Sequence, residues 1–159
     1  MSFARLLKML KIWGPAVAWG FLIFVGSSLP GAQFSEKSWL DFLLHSLAHF
    51  AEFAVFSFLL FRAFDYKKTT PKEFLERFKD IFKTLRFGAK PFLARIFWEV
   101  FVPKKILAAI TIAILYAATD EIHQYFVPGR ICSFWDFLFD SLGAVVGVFL
   151  YRIIATFRI

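Results

Sequence analysis

The feature that most constrains the fold is a set of four long apolar segments. They cover about residues 12–29, 42–61, 104–126 and 133–156. At about 1.5 Å per residue, an α-helix needs about 20 apolar residues to cross a hydrocarbon layer, and each segment approaches this length. Hydrophobic residues make up 59% of the chain, more than the roughly half that is typical of soluble domains. The sequence therefore predicts an all-α, integral membrane four-helix bundle that forms a single domain over residues 1–159.

The first apolar segment has two interpretations. Arg5, Lys8 and Lys11 precede it, and a cleaved signal peptide also combines a basic start with an apolar core. The run is long for a signal core, however, and no clear small-x-small cleavage site follows it. We therefore favour a membrane span.

A long basic segment separates the second and third spans. Between Arg62 and Lys105 the sequence holds 12 Lys or Arg and 5 Asp or Glu. Six apolar residues recur within it at helical spacing: Phe74, Leu75, Phe78, Ile81, Phe82 and Leu85. This pattern predicts an amphipathic interfacial helical insertion between helices 2 and 3, with a second short helix near residues 91–102. A small soluble domain packed on itself is the alternative.

The net charge of +7 bears on the partners of the chain. In a soluble protein it would suggest nucleic acid. Here the basic residues lie between apolar segments, so we expect membrane lipids, with anionic headgroups at the basic loop, and no nucleic acid. Cys132 is the single cysteine, which excludes an internal disulfide and a cysteine-based metal site.

The distribution of basic residues also predicts the orientation. The N-terminus, the loop 62–103 and the C-terminus carry nearly all of them, whereas the two short loops carry only Lys37 and Arg130. Because cytoplasmic loops are enriched in Lys and Arg, we predict a multi-pass protein of the cell membrane with both termini and the basic loop in the cytoplasm. The two short loops would then face outward.

Ionisable residues interrupt the second span on one face. His45, His49 and Glu52 are spaced i, i+4, i+7, which places them within a narrow arc of a helix. Groups of this kind inside a membrane normally face the interior of a bundle. A protonated Glu52, or one paired with a histidine, would be a purely structural contact. Since two histidines four residues apart and a carboxylate form a workable ligand set, the three residues are also candidates for binding a divalent metal.

Polar residues gather again at the end of the third span and in the turn after it. Asp120, Glu121 and Gln124 cover about 100° of a helix, and a Pro-Gly turn then leads to Arg130. The Arg130 guanidinium could hold a phosphate or carboxylate in a fork. Alternatively, it pairs with Asp136 or Glu121 and closes the loop.

The fourth span carries two carboxylates and two glycines on one face. These are Asp136, Asp140, Gly143 and Gly147. Two small residues four positions apart allow another helix to approach closely, so the glycines predict helix packing. Asp136 fits a carboxylate at a helix start, with Ser133 as the cap. Asp140 lies one turn deeper and is harder to explain as a surface residue.

These polar residues converge on the outer half of the membrane, and we predict that they surround one shared site. The predicted acid–base set is His49, Glu52, Asp120 and Glu121. The predicted ligand-binding residues are His45, Gln124, Arg130, Asp136 and Asp140. The sequence has no His-Glu-x-x-His motif, no Gly-rich phosphate loop and no serine nucleophile signature, so no particular reaction is specified.

One ordered pattern links the third and fourth spans. It reads Asp120-Glu121-x-x-Gln124-x-Phe126-x-Pro128-Gly129-Arg130, then Asp136, then Gly143 and Gly147. This pattern resembles the signature of the VanZ-like membrane proteins, which are similar to the teicoplanin-resistance protein. His49-Phe50 before Glu52-Phe53 is similar to the His-Phe motif of that family, and Ser27-Ser28-Leu29-Pro30 resembles the ending of its first helix. Two features differ: position 140 more often holds asparagine in the family, and the segment 62–105 is longer here.

The resemblance implies that the protein acts on the cell envelope at the outer face of the membrane. It leads to the hypothesis of an outward-facing pocket that recognises a lipid, a lipid-linked headgroup or a glycopeptide, and that modifies its ligand if the acid–base set is active. The alternative is a non-enzymatic protein that alters antibiotic access or assists envelope assembly. A proton or ion pathway through Glu52 is a third hypothesis, although no buried charge continues from Glu52 toward the cytoplasmic side.

Overall fold

The computed structural model describes residues 2–30, 38–66 and 104–157, which contain four long α-helices. They are α1 (Phe3–Ser27), α2 (Ser38–Phe64), α3 (Lys104–Tyr125) and α4 (Phe134–Phe157). No strand occurs in these three ranges, so the all-α prediction is confirmed. The interfacial helices predicted at residues 74–85 and 91–102 lie outside the described residues.

Each of the four helices is long and apolar enough to cross a membrane. At most 33% of the most apolar window of any helix is buried inside the protein. Large side chains such as Phe21, Leu107, Leu115 and Ile153 therefore point away from the bundle. Contiguous apolar surface of this extent is rare on a soluble protein but is compatible with lipid tails. The chain is a multi-pass membrane protein, as predicted.

Helices α2 and α4 make the most extensive contact in the bundle. A Cβ atom at Gly143 would collide with the Phe50 carbonyl oxygen, and one at Gly147 would collide with that of Ala54. The two backbones can approach this closely only because both positions lack a side chain. The predicted packing role of the two glycines is confirmed.

Helix α3 packs its alanine face into the core and ends in polar residues. Ala109, Ala113 and Ala117 are fully buried, and the next turn places Asp120 and Glu121 inside the protein. Contacts between residues at the ends of α1 and α3 and residues at the beginnings of α2 and α4 show that these four termini meet at one end of the bundle. We call it the polar end. Lys105 and Asp65 form an ion pair of 3.6 Å at the opposite end.

Candidate functional site

A cleft of about 90 Å³ opens at the polar end, between α1, α2 and the end of α3. It is lined by Gly26, Ser27, His45, Ala48, His49, Glu52, Gln124 and Arg130. The structure thus brings together five of the predicted site residues: His45, His49, Glu52, Gln124 and Arg130. The other four, Asp120, Glu121, Asp136 and Asp140, are buried and do not line the cleft.

Glu52 offers its carboxyl group to the cleft. Its side chain is exposed and lies on the same face of α2 as His45 and His49, as the spacing predicted. Its backbone carbonyl accepts a hydrogen bond of 2.9 Å from Trp19 Nε1, which ties α1 to α2 at this level. This hydrogen bond fixes the α2 backbone at Glu52 relative to α1, beside the cleft that the Glu52 side chain lines.

Asp120 is buried behind the cleft and binds two of the residues that line it. Ser27 Oγ donates a hydrogen bond of 2.7 Å to its Oδ1, and Gln124 Nε2 donates one of 2.8 Å to its Oδ2. Both carboxyl oxygens are therefore occupied by residues that line the cleft. In this structure Asp120 is a positioning residue, and its predicted acid–base role stays a prediction.

Arg130 reaches from the α3–α4 loop to the end of α1. Its Nε donates to the Leu29 carbonyl oxygen at 3.1 Å, and its Nη2 donates to that of Gly26 at 3.0 Å. Gly129 precedes it with a φ of 80°, a left-handed conformation that glycine adopts without strain. A cation that binds the last carbonyls of a helix also interacts favourably with the helix dipole. The loop is therefore closed through α1, and not through the alternative pairs with Asp136 or Glu121.

Two histidine–aspartate pairs join α2 to α4. His49 Nδ1 lies 3.1 Å from Asp140 Oδ1, and His45 Nε2 lies 3.8 Å from Asp136 Oδ2. The centres of the two imidazole rings are 4.7 Å apart. Because Asp140 occupies Nδ1 of His49, the remaining ring nitrogen of that residue is Nε2.

Glu121 closes the start of α4. Its Oε2 accepts a hydrogen bond of 2.7 Å from the backbone N–H of Ser133, and Ser133 Oγ accepts one of 3.3 Å from the backbone N–H of Asp136. Ser133 is thus the helix cap that the sequence predicted. Glu121 Oε1 and Asp140 Oδ2 are buried and have no hydrogen-bond partner in the described part of the chain.

Among the residues that the structure describes, distances between donor atoms single out two groups that could hold a metal ion. One is His45, His49 and Asp136, and the other is His49, Glu121 and Asp140. Within each group, one donor atom of every residue lies within 4.8 Å of the others. His49 belongs to both groups. Glu52, which the sequence grouped with the two histidines, belongs to neither group.

Sequence reasoning assigned no role to Ser27, which lines the cleft and bonds to Asp120. The available signal was a pair of hydroxyl residues at the end of an otherwise apolar run. Its neighbour Ser28 places Oγ 3.0 Å from His123 Nε2, and the ring of His123 lies 4.7 Å from that of Phe24. The end of α1 is therefore anchored to α3 through two adjacent serines.

Comparison with known proteins gives one match. The chain matches the family model described as VanZ/LLP1 over residues 12–155, a range that spans the four apolar segments and every residue of the cleft. Searches of the curated proteins and of the solved structures found no match. The family match covers most of the 159 residues and agrees with the resemblance in the Asp-Glu to Pro-Gly-Arg stretch. The chain belongs to the VanZ/LLP1 family.

Proposed function

We propose that the cleft at the polar end binds the anionic headgroup of an envelope lipid or lipid-linked molecule at the outer face of the cell membrane. Membership of the VanZ/LLP1 family supports a place in the cell envelope and a link to glycopeptide resistance. The observation that carries the proposal is the Arg130 guanidinium in the cleft wall, together with two imidazoles and the exposed Glu52 carboxyl group.

The size and position of the cleft favour a headgroup over a whole antibiotic. Pockets for drug-sized ligands measure about 300–1,000 Å³, so a cleft of about 90 Å³ suits a single phosphate-sized group. The cleft also opens at the ends of α1 and α3, near the depth of lipid headgroups in a bilayer, and it extends inward along α2 to Glu52. Guanidinium groups bind phosphate through two parallel hydrogen bonds, and this geometry suits Arg130 as the anion contact.

Modification of the bound headgroup is a second candidate function. A carboxylate that bonds one nitrogen of an imidazole orients the ring and prepares the other nitrogen for proton transfer. The Asp140–His49 pair has this arrangement, and His49 lines the cleft. In this version of the proposal, His49 is the base or acid and Arg130 holds the anionic group.

The proposed orientation can be tested with the natural cysteine. Cys132 is exposed in the α3–α4 loop at the polar end. If that end faces outward, a membrane-impermeant maleimide should label Cys132 in intact cells. A Cys132→Ser, Thr70→Cys variant should be labelled only after the cells are lysed. Labelling of this variant in intact cells, with protection of Cys132, would invert the topology.

Replacing Arg130 with lysine should weaken headgroup binding by about tenfold or more, since lysine lacks the planar fork. Binding would be measured on purified protein in nanodiscs, with a polyprenyl phosphate and with phosphatidylglycerol as separate probes. If Arg130→Lys binds only one of the two probes more weakly, that probe identifies the kind of lipid that supplies the headgroup. Arg5→Lys, at the opposite end of α1, is the matched control and should bind like the wild type. Wild-type affinity of Arg130→Lys for both probes would exclude the anion contact.

A further inference from the structure

We propose that His49, Glu121 and Asp140 form a binding site for a divalent transition-metal ion, buried between α2, α3 and α4. One residue comes from each helix, and all three are buried. This site stands apart from the headgroup proposal, because Glu121 and Asp140 do not line the cleft. His49 is the single residue that the two sites share.

The donor atoms already lie close to the geometry that a metal requires. One donor atom from each residue is within 4.8 Å of the other two. Ligands at about 2.0–2.2 Å from a metal are separated by about 3–4 Å, so binding requires only small contractions. His49 Nδ1 and Asp140 Oδ1 are 3.1 Å apart and share a hydrogen bond, and a metal bound by both atoms would displace the proton between them.

Two unpartnered oxygens point to a missing ligand. Glu121 Oε1 and Asp140 Oδ2 are buried without a hydrogen-bond partner in the described ranges, although Asp140 is 0% exposed and Glu121 4% exposed. Buried polar atoms are nearly always paired, because an unpaired one loses its water without compensation. Two carboxylates this close also repel each other. A divalent cation would satisfy the free oxygens and offset the negative charge.

The donor types indicate the class of metal. One imidazole and two carboxylates suit Zn²⁺ or Mn²⁺, whereas Ca²⁺ takes oxygen ligands alone. The Ser133 N–H donates to Glu121 Oε2 and so holds that carboxylate in place, as outer partners of metal ligands do. The other candidate group, which contains His45 and Asp136, is less enclosed because the His45 side chain is 28% exposed.

The proposal is tested by metal titration of the purified, chelator-treated protein in detergent, without added lipid. Isothermal calorimetry should show one Zn²⁺ or Mn²⁺ bound per chain, and weak or no binding of Ca²⁺. Glu121→Gln and Asp140→Asn should each lower the affinity by at least about 100-fold, because each removes a charged ligand. His45→Ala and Asp136→Asn are matched controls from the neighbouring cluster and should bind nearly as the wild type.

X-ray absorption of the Zn²⁺-loaded wild-type protein provides a measurement that needs no variant. It should show nitrogen and oxygen neighbours with a single imidazole. Two imidazoles, or loss of binding in His45→Ala with retention in Glu121→Gln, would assign the metal to the other cluster and overturn the proposal. Failure of the folded wild type to bind either metal would overturn it as well. Because the metal titration contains no added lipid, its result tests the metal site alone and does not depend on whether the cleft binds a headgroup.

Discussion

Replacing Gly147 with alanine is expected to lower the free energy of unfolding by about 3 kcal/mol or more, and leucine there should prevent the bundle from assembling. The added Cβ would collide with the Ala54 carbonyl oxygen and with Ser57 Oγ. The first of these is a backbone atom inside α2, so it cannot move aside as a flexible side chain would. The helices would have to separate along their most extensive contact.

The matched control is Gly14→Ala in α1, where a new Cβ meets nothing within 4 Å. Alanine favours a helix over glycine by about 1 kcal/mol, so this change should be neutral or slightly stabilising. Both variants would be compared by thermal unfolding in the same detergent, followed by far-UV circular dichroism. Similar midpoints for Gly147→Ala and Gly14→Ala would show that α2 and α4 do not pack as described.

Replacing Asp120 with alanine is expected to lower the free energy of unfolding by about 3 kcal/mol, because it leaves the buried Gln124 amide without its acceptor. The Gln124 side chain is 1% exposed and would lose the acceptor of its amide, and Ser27 would lose its contact across the bundle. Headgroup binding should fall as well, since both residues line the cleft. Asp120 would affect binding by holding Ser27 and Gln124 in place, and not by touching the ligand itself.

Three further variants separate these contributions. Ser27→Ala removes a hydroxyl that lies within hydrogen-bond distance of both Asp120 and the Ile23 carbonyl oxygen, but it leaves the Gln124–Asp120 bond in place and should be milder. In the Ser27→Ala, Asp120→Ala double variant the two effects should not add. Asp65→Ala breaks the partly exposed ion pair with Lys105 at the other end and should change stability by about 1 kcal/mol or less. The measurement is again thermal unfolding. Full additivity of the Ser27 and Asp120 changes would contradict the described contact.

The fold was largely predictable because hydropathy acts over whole segments. The third and fourth spans were predicted at 104–126 and 133–156, and the helices extend over Lys104–Tyr125 and Phe134–Phe157. The first span was predicted at 12–29, and α1 extends beyond it toward the N-terminus, to Phe3. Charged residues ended the apolar run on that side, but Lys and Arg are good helix formers, so the helix continues through them.

Five of the nine predicted site residues line the cleft, whereas the partners of the polar residues were not predictable. Spacing along one helix placed His45, His49 and Glu52 on a common face, and the structure agrees. Contacts between helices depend on the rotation of each helix about its axis, which spacing does not determine. The bond between Ser27 and Asp120 and the reach of Arg130 to α1 are of this kind. They join residues that lie far apart in the sequence.

If the cleft binds an anion as proposed, the attachment of Arg130 to α1 would limit how tightly that anion is held. A headgroup that draws the guanidinium away from the Gly26 and Leu29 carbonyls gives up two hydrogen bonds, each worth about 1 kcal/mol. Occupancy of the cleft would in turn loosen the end of α1, since coupling between two binding equilibria is reciprocal. The end of α1 would therefore compete with the anion for the Arg130 guanidinium. Release of this end of α1 would indicate that the cleft is occupied.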